Sequence, residues 1–380
     1  MKASSFARLY RDFLLPRSVL LPFLVTRIAL EILNLFTFFR FIPGNRRPTR
    51  LCLEAGIKGW ELIEYKELFA SAQDFVGAEN TRKIEIDRNQ SYVGQVLSAV
   101  RKHRPTHYVY DSRTGSENWL LGMLQAFQIS LIFQYHGVVP ICVLTDLPIR
   151  AWRAQTAMVS AKRGIVVSLM SPRDVDPIFP HGRIIGPLMM AFSEATLERL
   201  IEMDRQTSNK FADKTLVFSG SLYEPRASLL NEIRRGLADH QIVLELKGRQ
   251  LGSQRFSDED YWHNLSSSAM VITTANLSHQ KGVDWPWVSH LIYRYLEVPA
   301  AGSVLVAQEV PSLRRYLVPD RHFIAYSTPE EAVRKISHYW NHPSELEEIA
   351  RAGREKVRSV IRANMYWICV DTALQKYSLL

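Results

Sequence analysis

A chain of 380 residues is long enough for two hydrophobic cores, because a single core stops growing at about 250–300 residues. Apolar residues at 47% and charged residues at 22% exclude a wholly disordered chain and a polytopic membrane protein. The formal charge of +9 favours an anionic partner: nucleic acid, an acidic membrane surface or a phosphorylated substrate.

From Ser18 to Phe41 the chain reads SVLLPFLVTRIALEILNLFTFFRF. Arg27, Glu31 and Asn34 interrupt this run, leaving no uncharged stretch near the roughly 20 residues that span a bilayer. With Thr37 they form a narrow polar stripe on a helix that is otherwise apolar, the pattern of a helix lying in a membrane surface. Arg8, Arg11 and Arg17 before it, and Arg40, Arg46, Arg47 and Arg50 after it, suit anionic headgroups. Burial against the rest of the protein, or a dimer contact, would use the same pattern. No small-residue cleavage site follows, so secretion is not expected. Cys52, Cys142 and Cys369 are far apart and in no metal or redox spacing, which fits reduced thiols in a cytoplasmic protein.

After PGNRRPTR, short apolar runs alternate with helical patterns. RLCLEAG reads as a strand, QSYVGQVLSAVRKH as a helix, THYVYD as a strand and ENWLLGMLQAFQISLIFQY as a helix. VVPICVLTD and GIVVSLM are further strands. Such alternation predicts a parallel sheet covered on both faces, with ligands beyond the carboxyl ends of its strands. That singles out Asp111, Ser112 and Arg113 at one strand end, and Thr145 and Asp146 at another.

A charged helical stretch from Glu194 to Arg205 leads to a second α/β unit. KTLVFSG is a strand ending at Gly220, EPRASLLNEIRRGLA a helix, and QIVLELKG a strand ending at Gly248. YWHNLSSSAMVITTAN gives a helix and a strand ending near Asn276. At the first of these strand ends, Gly220, Ser221 and Arg226 combine small residues with a cation at a helix start, a ready anion site or an ordinary tight turn. Lys247 and Arg249 either face a diphosphate or are solvated loop charges, and Asn276, His279 and Lys281 lie where a donor could be met. Trp285 and Trp287 would stack on a ring or pack into the core.

In LIYRYLEVPAAGSVLV, Arg294 and Glu297 share a helix face at i, i+3, followed by a small-residue turn at Gly302 and Ser303 and by an apolar strand. A surface ion pair is one reading of the two charges. In the other, the guanidinium meets phosphate oxygens and the carboxylate accepts from a ribose diol. FIAYSTPEEAVRKISHYW adds a strand and a helix.

FSGSLYEPR, YRYLEVPAAGSVLV and YSTPEEAVRKISHYWNHPSELEEIARAGREKV occur in the order and spacing of one family. From Lys214 to Gln375 the chain resembles the carboxyl-terminal domain of GT-B glycosyltransferases, and most closely the CgeB-like branch of group 1. The resemblance implies two Rossmann-like domains facing a cleft, preceded here by the amphipathic segment: residues 1–44, an acceptor domain at 45–205 and a nucleotide-sugar domain at 206–380. The last helix would cross back to the first domain. It further implies donor contacts from Arg294, Glu297, Arg226, Gly220, Ser221, Gly302, Ser303, Lys247 and Asn276, with Arg294 and Asp146 nearest the chemistry. No metal and no cofactor beyond the nucleotide-sugar donor is expected.

Three departures stand out. Ser289 takes the place of a Glu that many retaining relatives carry, Pro299 disfavours helical geometry at Val298, and neither His136 nor His181 is an evident base. The implied function is transfer of a sugar to a lipid-linked or glycan acceptor at the cytoplasmic membrane face. The alternative is a catalytically inactive GT-B subunit that binds glycan or acts as a scaffold. No aromatic-interleaved basic cluster supports nucleic acid.

Overall fold

The computed structural model describes residue 28 and residues 50–58, 63–111, 119–144, 163–172, 183–207, 209–222, 224–249, 257–274 and 291–379. Apart from Ile28, the segment 18–41 lies outside them, as do Arg113, Asp146, His181, Asn276, His279, Lys281, Trp285, Trp287 and Ser289. The described residues fall into two compact units: those up to Ala191 together with those from Tyr366 onward, and those from Phe192 to Met365.

In the first unit β1 (Leu51–Ile57), β2 (Thr81–Ile86), β3 (His107–Asp111), β4 (Val139–Leu144), β5 (Ile165–Ser168) and β6 (Ile184–Ile185) form a parallel sheet in the order β2-β1-β3-β4-β5-β6. Helices α1 (Ile63–Val76), α2 (Tyr92–His103) and α3 (Trp119–His136) make the crossovers. The apolar runs form strands because both sheet faces are covered: β4 is buried from Pro140 to Leu144. Strand β2 carried no apolar run to betray it. It is an edge strand, burying Thr81, Ile84 and Ile86 while exposing Arg82, Lys83 and Glu85. Within β1, buried Glu54 accepts hydrogen bonds from the hydroxyls of Tyr92 (2.9 Å) and Tyr108 (3.0 Å), which compensates a carboxylate in the core.

The carboxyl-terminal helix Met365–Lys376 packs in this first unit. Its Tyr366, Trp367, Val370 and Leu374 join Leu51, Val109, Ile141 and Val143 in one core, and Trp367 Nε1 donates to Ser71 Oγ at 3.0 Å. Large apolar side chains contribute about 1.5–3 kcal/mol each on full burial. None of the three cysteines is in a disulfide, and burial pushes the Cys52 thiol up to about 12, which leaves it inert.

In the second unit β7 (Leu216–Ser221), β8 (Leu244–Arg249), β9 (Met270–Thr273), β10 (Val304–Gln308) and β11 (Ile324–Tyr326) form a parallel sheet in the order β11-β10-β9-β7-β8. Around it lie α4 (Glu194–Gln206), α5 (Lys210–Asp213), α6 (Arg226–Ala238), α7 (Asp258–Ser266), α8 (Arg294–Ala300), α9 (Pro329–Asn341) and α10 (Pro343–Arg362). Phe218, Leu230, Ile233, Ile272, Val306, Ile324 and Ile336 pack its core. The charged stretch read as preceding this unit is α4, and it belongs to the unit, burying Leu197, Leu200 and Ile201. Pro299 does not end α8: the helix runs through Val298 and Pro299 to Ala300. Tertiary burial overrides the local bias, since Val298 and Ala300 are fully buried and Ala301 N still donates to Glu297 O at 3.0 Å.

Candidate functional site

Strand order in the second sheet reverses at β7, which continues to β8 on one side and meets β9 on the other. The crevice beyond the carboxyl ends of β7 and β9 is therefore a topological switch point, where open α/β sheets bind ligands. The sequence fills it with cations. The α6 helix starts directly after β7 and places Arg226 there; α8 runs antiparallel to the strands, so its first residue, Arg294, arrives at the same end.

Both guanidinium groups rest on the Phe218 ring, with Cζ 5.6 Å from its centroid for Arg226 and 5.3 Å for Arg294. Arg294 also lies against Gly220, whose φ is +148°; a Cβ there would sit 2.5 Å from Arg294 Nη2. Glycine is favoured there by the backbone angle, and it lets the guanidinium lie close. The expected grouping of Gly220, Ser221, Arg226 and Arg294 is what the fold assembles.

Arg226 is held within the fold as well. It is 8% exposed; its Nε donates to Thr274 Oγ1 at 3.0 Å and its Nη1 to the Ser221 carbonyl at 3.1 Å. The side chain therefore ties the end of β7 to the residue that follows β9, holding the crevice in shape. Glu297 lies one turn into α8, 2% exposed, and its Oε2 accepts from Tyr261 Oη of α7 at 2.6 Å. A surface ion pair between residues 294 and 297 is ruled out by this burial. Among the described residues, the Ser219, Thr273 and Tyr295 hydroxyls are buried without a protein hydrogen-bond partner. They surround the same strand ends, and leaving such a group unsatisfied costs about 1–3 kcal/mol. Burial pushes the Tyr295 phenol well above its usual range, so it stays a neutral donor.

Lys247 is on the strand beside β7, but its Nζ is held by Asn264 Oδ1 at 2.9 Å and lies 3.5 Å from Glu245. His136 is exposed in the last turn of α3, which places it at the amino edge of the first sheet, opposite the ligand end.

Gly302 and Ser303 correct the expectation most clearly. Because α8 runs antiparallel to the strands, its far end lies at the amino edge of the sheet. Ser303 is 1% exposed, its Oγ within 2.5 Å of Leu265 O and 2.6 Å of Ser268 O. Gly302, with φ +77°, lies against the Asp204 carboxylate, which any Cβ would overlap. Asp204 itself gathers three cations, each at 2.9 Å: Lys210 Nζ, Arg354 Nη1 and Arg358 Nη2. Surplus positive charge is taken up by carbonyls: Ser266 and Ala301 accept from Lys210, and Ala300 from Arg358. Gly302 makes room for this knot and Ser303 binds the carbonyls of Leu265 and Ser268, so both are committed at the amino edge of the sheet, away from the β7/β9 crevice.

Tyr261, Phe218 and Thr274 are the participants that sequence reading missed. Phe218 looks like any strand residue, and Tyr261 and Thr274 gain their roles only through pairings across 36 and 48 residues of chain.

Residues 226–363 match the family model described as Glycosyl transferase-like. No curated protein matches the sequence. Among solved structures, the chain is similar to HepE of Anabaena (TM-score 0.56, 11% identity, covering 87% of this chain and 98% of that one). It is similar as well to sucrose-phosphate synthase of Thermosynechococcus elongatus (0.57, 11%, 87% and 99%) and to a glycosyltransferase of Rickettsia africae (0.53, 11%, 86% and 99%). At such identities the likeness is one of fold. The chain has the GT-B fold of two parallel Rossmann-like sheets, and its residues 226–363 are similar to the glycosyl transferase-like family.

Proposed function

We propose that the protein is a glycosyltransferase that takes a sugar from a nucleotide-sugar donor held at the β7/β9 switch point. The observation that carries this reading is the seating of Arg294 on Phe218 and Gly220, with buried Glu297 one turn away on the same helix. In that arrangement Arg294 stabilises charge developing on the leaving diphosphate, an electrostatic contribution made largest where water is excluded. Glu297, oriented by Tyr261, accepts from the ribose diol, and Arg226 acts as a positioning residue. Asp146, Asn276, Lys247 and Ser221 remain proposed contributors. The reaction breaks the bond from the anomeric carbon to phosphate and forms one to an acceptor oxygen, the acceptor proton leaving to a base; no metal is invoked.

HepE of Anabaena was crystallised with UDP and with UDP-glucose, which makes uridine the first base to try. A thermal-shift screen of nucleotide sugars should give a rise in midpoint with at least one donor and a smaller rise with its nucleoside diphosphate. No shift with any nucleotide would remove the reading.

The acceptor in this proposal is lipid-linked or a growing glycan, met at the inner membrane face. Two features support it. The segment 1–44 has the in-plane pattern, and α3, which contains no Asp, Glu, Lys or Arg, exposes Leu120, Leu121, Leu124, Leu131 and Tyr135. Neighbouring α2 ends in exposed Arg101 and Lys102, followed by exposed Arg104, giving a basic fringe to an apolar face. Among the described residues no helix is long and apolar enough to cross a membrane. Flotation with anionic vesicles should recover the full chain and recover much less of a chain starting at residue 45. Equal recovery would take the membrane role from that segment.

A further inference from the structure

We infer that His338, His342 and Glu345 form a binding site for one divalent transition-metal cation at the junction of α9 and α10. It is independent of the sugar-nucleotide reading, and the sequence, in which these residues stand as H-x3-H-x2-E, had led to no metal expectation. One ligand atom from each residue lies within 4.8 Å of the other two. His338 Nε2 is 3.1 Å from Glu345 Oε2, and the two imidazole rings are stacked with centroids 4.3 Å apart and planes 22° from parallel.

The tautomer follows from a hydrogen bond. His342 Nδ1 is 2.7 Å from the His338 carbonyl oxygen, which can only accept, so Nδ1 carries the proton and Nε2 keeps its lone pair for a ligand. Donation from the second ring nitrogen to a carbonyl is the usual outer support of a metal-bound histidine. Lys335, the nearest cation on α9, is occupied by Asp320 at 2.8 Å and Glu331 at 3.3 Å, so it does not claim Glu345. Two neutral imidazoles and one carboxylate form a borderline donor set that suits Zn²⁺, with water completing the tetrahedron. His338 and Glu345 are half exposed, so their side chains are free to close on the ion without disturbing the core. The ion would fasten the end of α9 to the first turn of α10, a helix whose N-cap residue, His342, makes no side-chain capping bond.

The test is a titration of the chelator-stripped full-length protein with Zn²⁺ against a chromophoric chelator, repeated on the His338→Ala/His342→Ala double variant and on Glu345→Gln. The wild type should bind one more equivalent than the double variant, and Glu345→Gln should bind that equivalent about tenfold or more weakly. Zn²⁺ should raise the thermal midpoint of the wild type and not of the double variant. Equal stoichiometry and affinity in all three proteins would overturn the inference. Glu345→Gln keeps the size of an exposed side chain, which separates loss of a ligand from loss of fold.

Discussion

Asp204→Asn is expected to destabilise the second unit by about 3–5 kcal/mol, the cost of removing one partner from a buried ion pair. The carboxylate is 8% exposed and, among the described residues, is the anion that Lys210, Arg354 and Arg358 share. An amide of the same shape leaves Lys210, itself 3% exposed, without a counter-charge. Against a typical domain stability of about 5–15 kcal/mol, that loss should show as a large fall in the urea midpoint. Burial would raise the carboxyl's pKa, but Lys210 and then Arg354 outweigh it and hold it below its ordinary value of 3.8. A folded value below the unfolded one means that the unfolded state binds more protons in that range. The contribution is therefore complete above about pH 3.8 and is lost as pH falls through the depressed folded value. Urea midpoints of wild type and variant should thus differ by a constant amount through neutral pH and converge only in strong acid. A difference already shrinking at pH 6 would contradict this assignment.

Arg294→Met should lower kcat/KM for sugar transfer by about 10²–10³, the usual effect of deleting one preorganised charge-stabilising donor. Methionine keeps apolar contact with Phe218 and leaves room at Gly220, so the thermal midpoint without ligand should change little. Nucleoside diphosphate release is the readout. Arg294→Lys should recover only part of the rate, because an ammonium keeps the charge but not the planar fork that meets two phosphate oxygens. If Arg294→Met turns over at the wild-type rate, the guanidinium does not face the leaving group.

Much of this fold was legible because both sheets are parallel and covered on both faces. That burial produces continuous runs such as VPICVL and MVIT, which need no knowledge of their partners to be read as strands. TRKIEI escaped because an edge strand buries only one side chain in two. The site was half legible. A strand-Gly-Ser end and an Arg at a helix start can be read locally, and the antiparallel run of a crossover helix brings Arg294 to them. The same geometry, applied to the other end of α8, sends Gly302 and Ser303 away; small residues in sequence look alike whether they make room for a diphosphate or for Asp204. Arg226 illustrates the remaining limit. Its charge was visible, but its commitment to Thr274 and the Ser221 carbonyl depends on which strand lies beside β7.

The most direct test of a donor site at the β7/β9 switch point is isothermal titration of the nucleotide sugar that best stabilises the wild type, carried out in parallel on Glu297→Ala. Loss of the ribose acceptor should weaken binding about tenfold or more, the equivalent of about 1.4 kcal/mol, while an uncharged sugar alone binds neither protein measurably. The same dissociation constant for both proteins, with Glu297→Ala folded, would contradict a donor site built on Arg294 and Glu297.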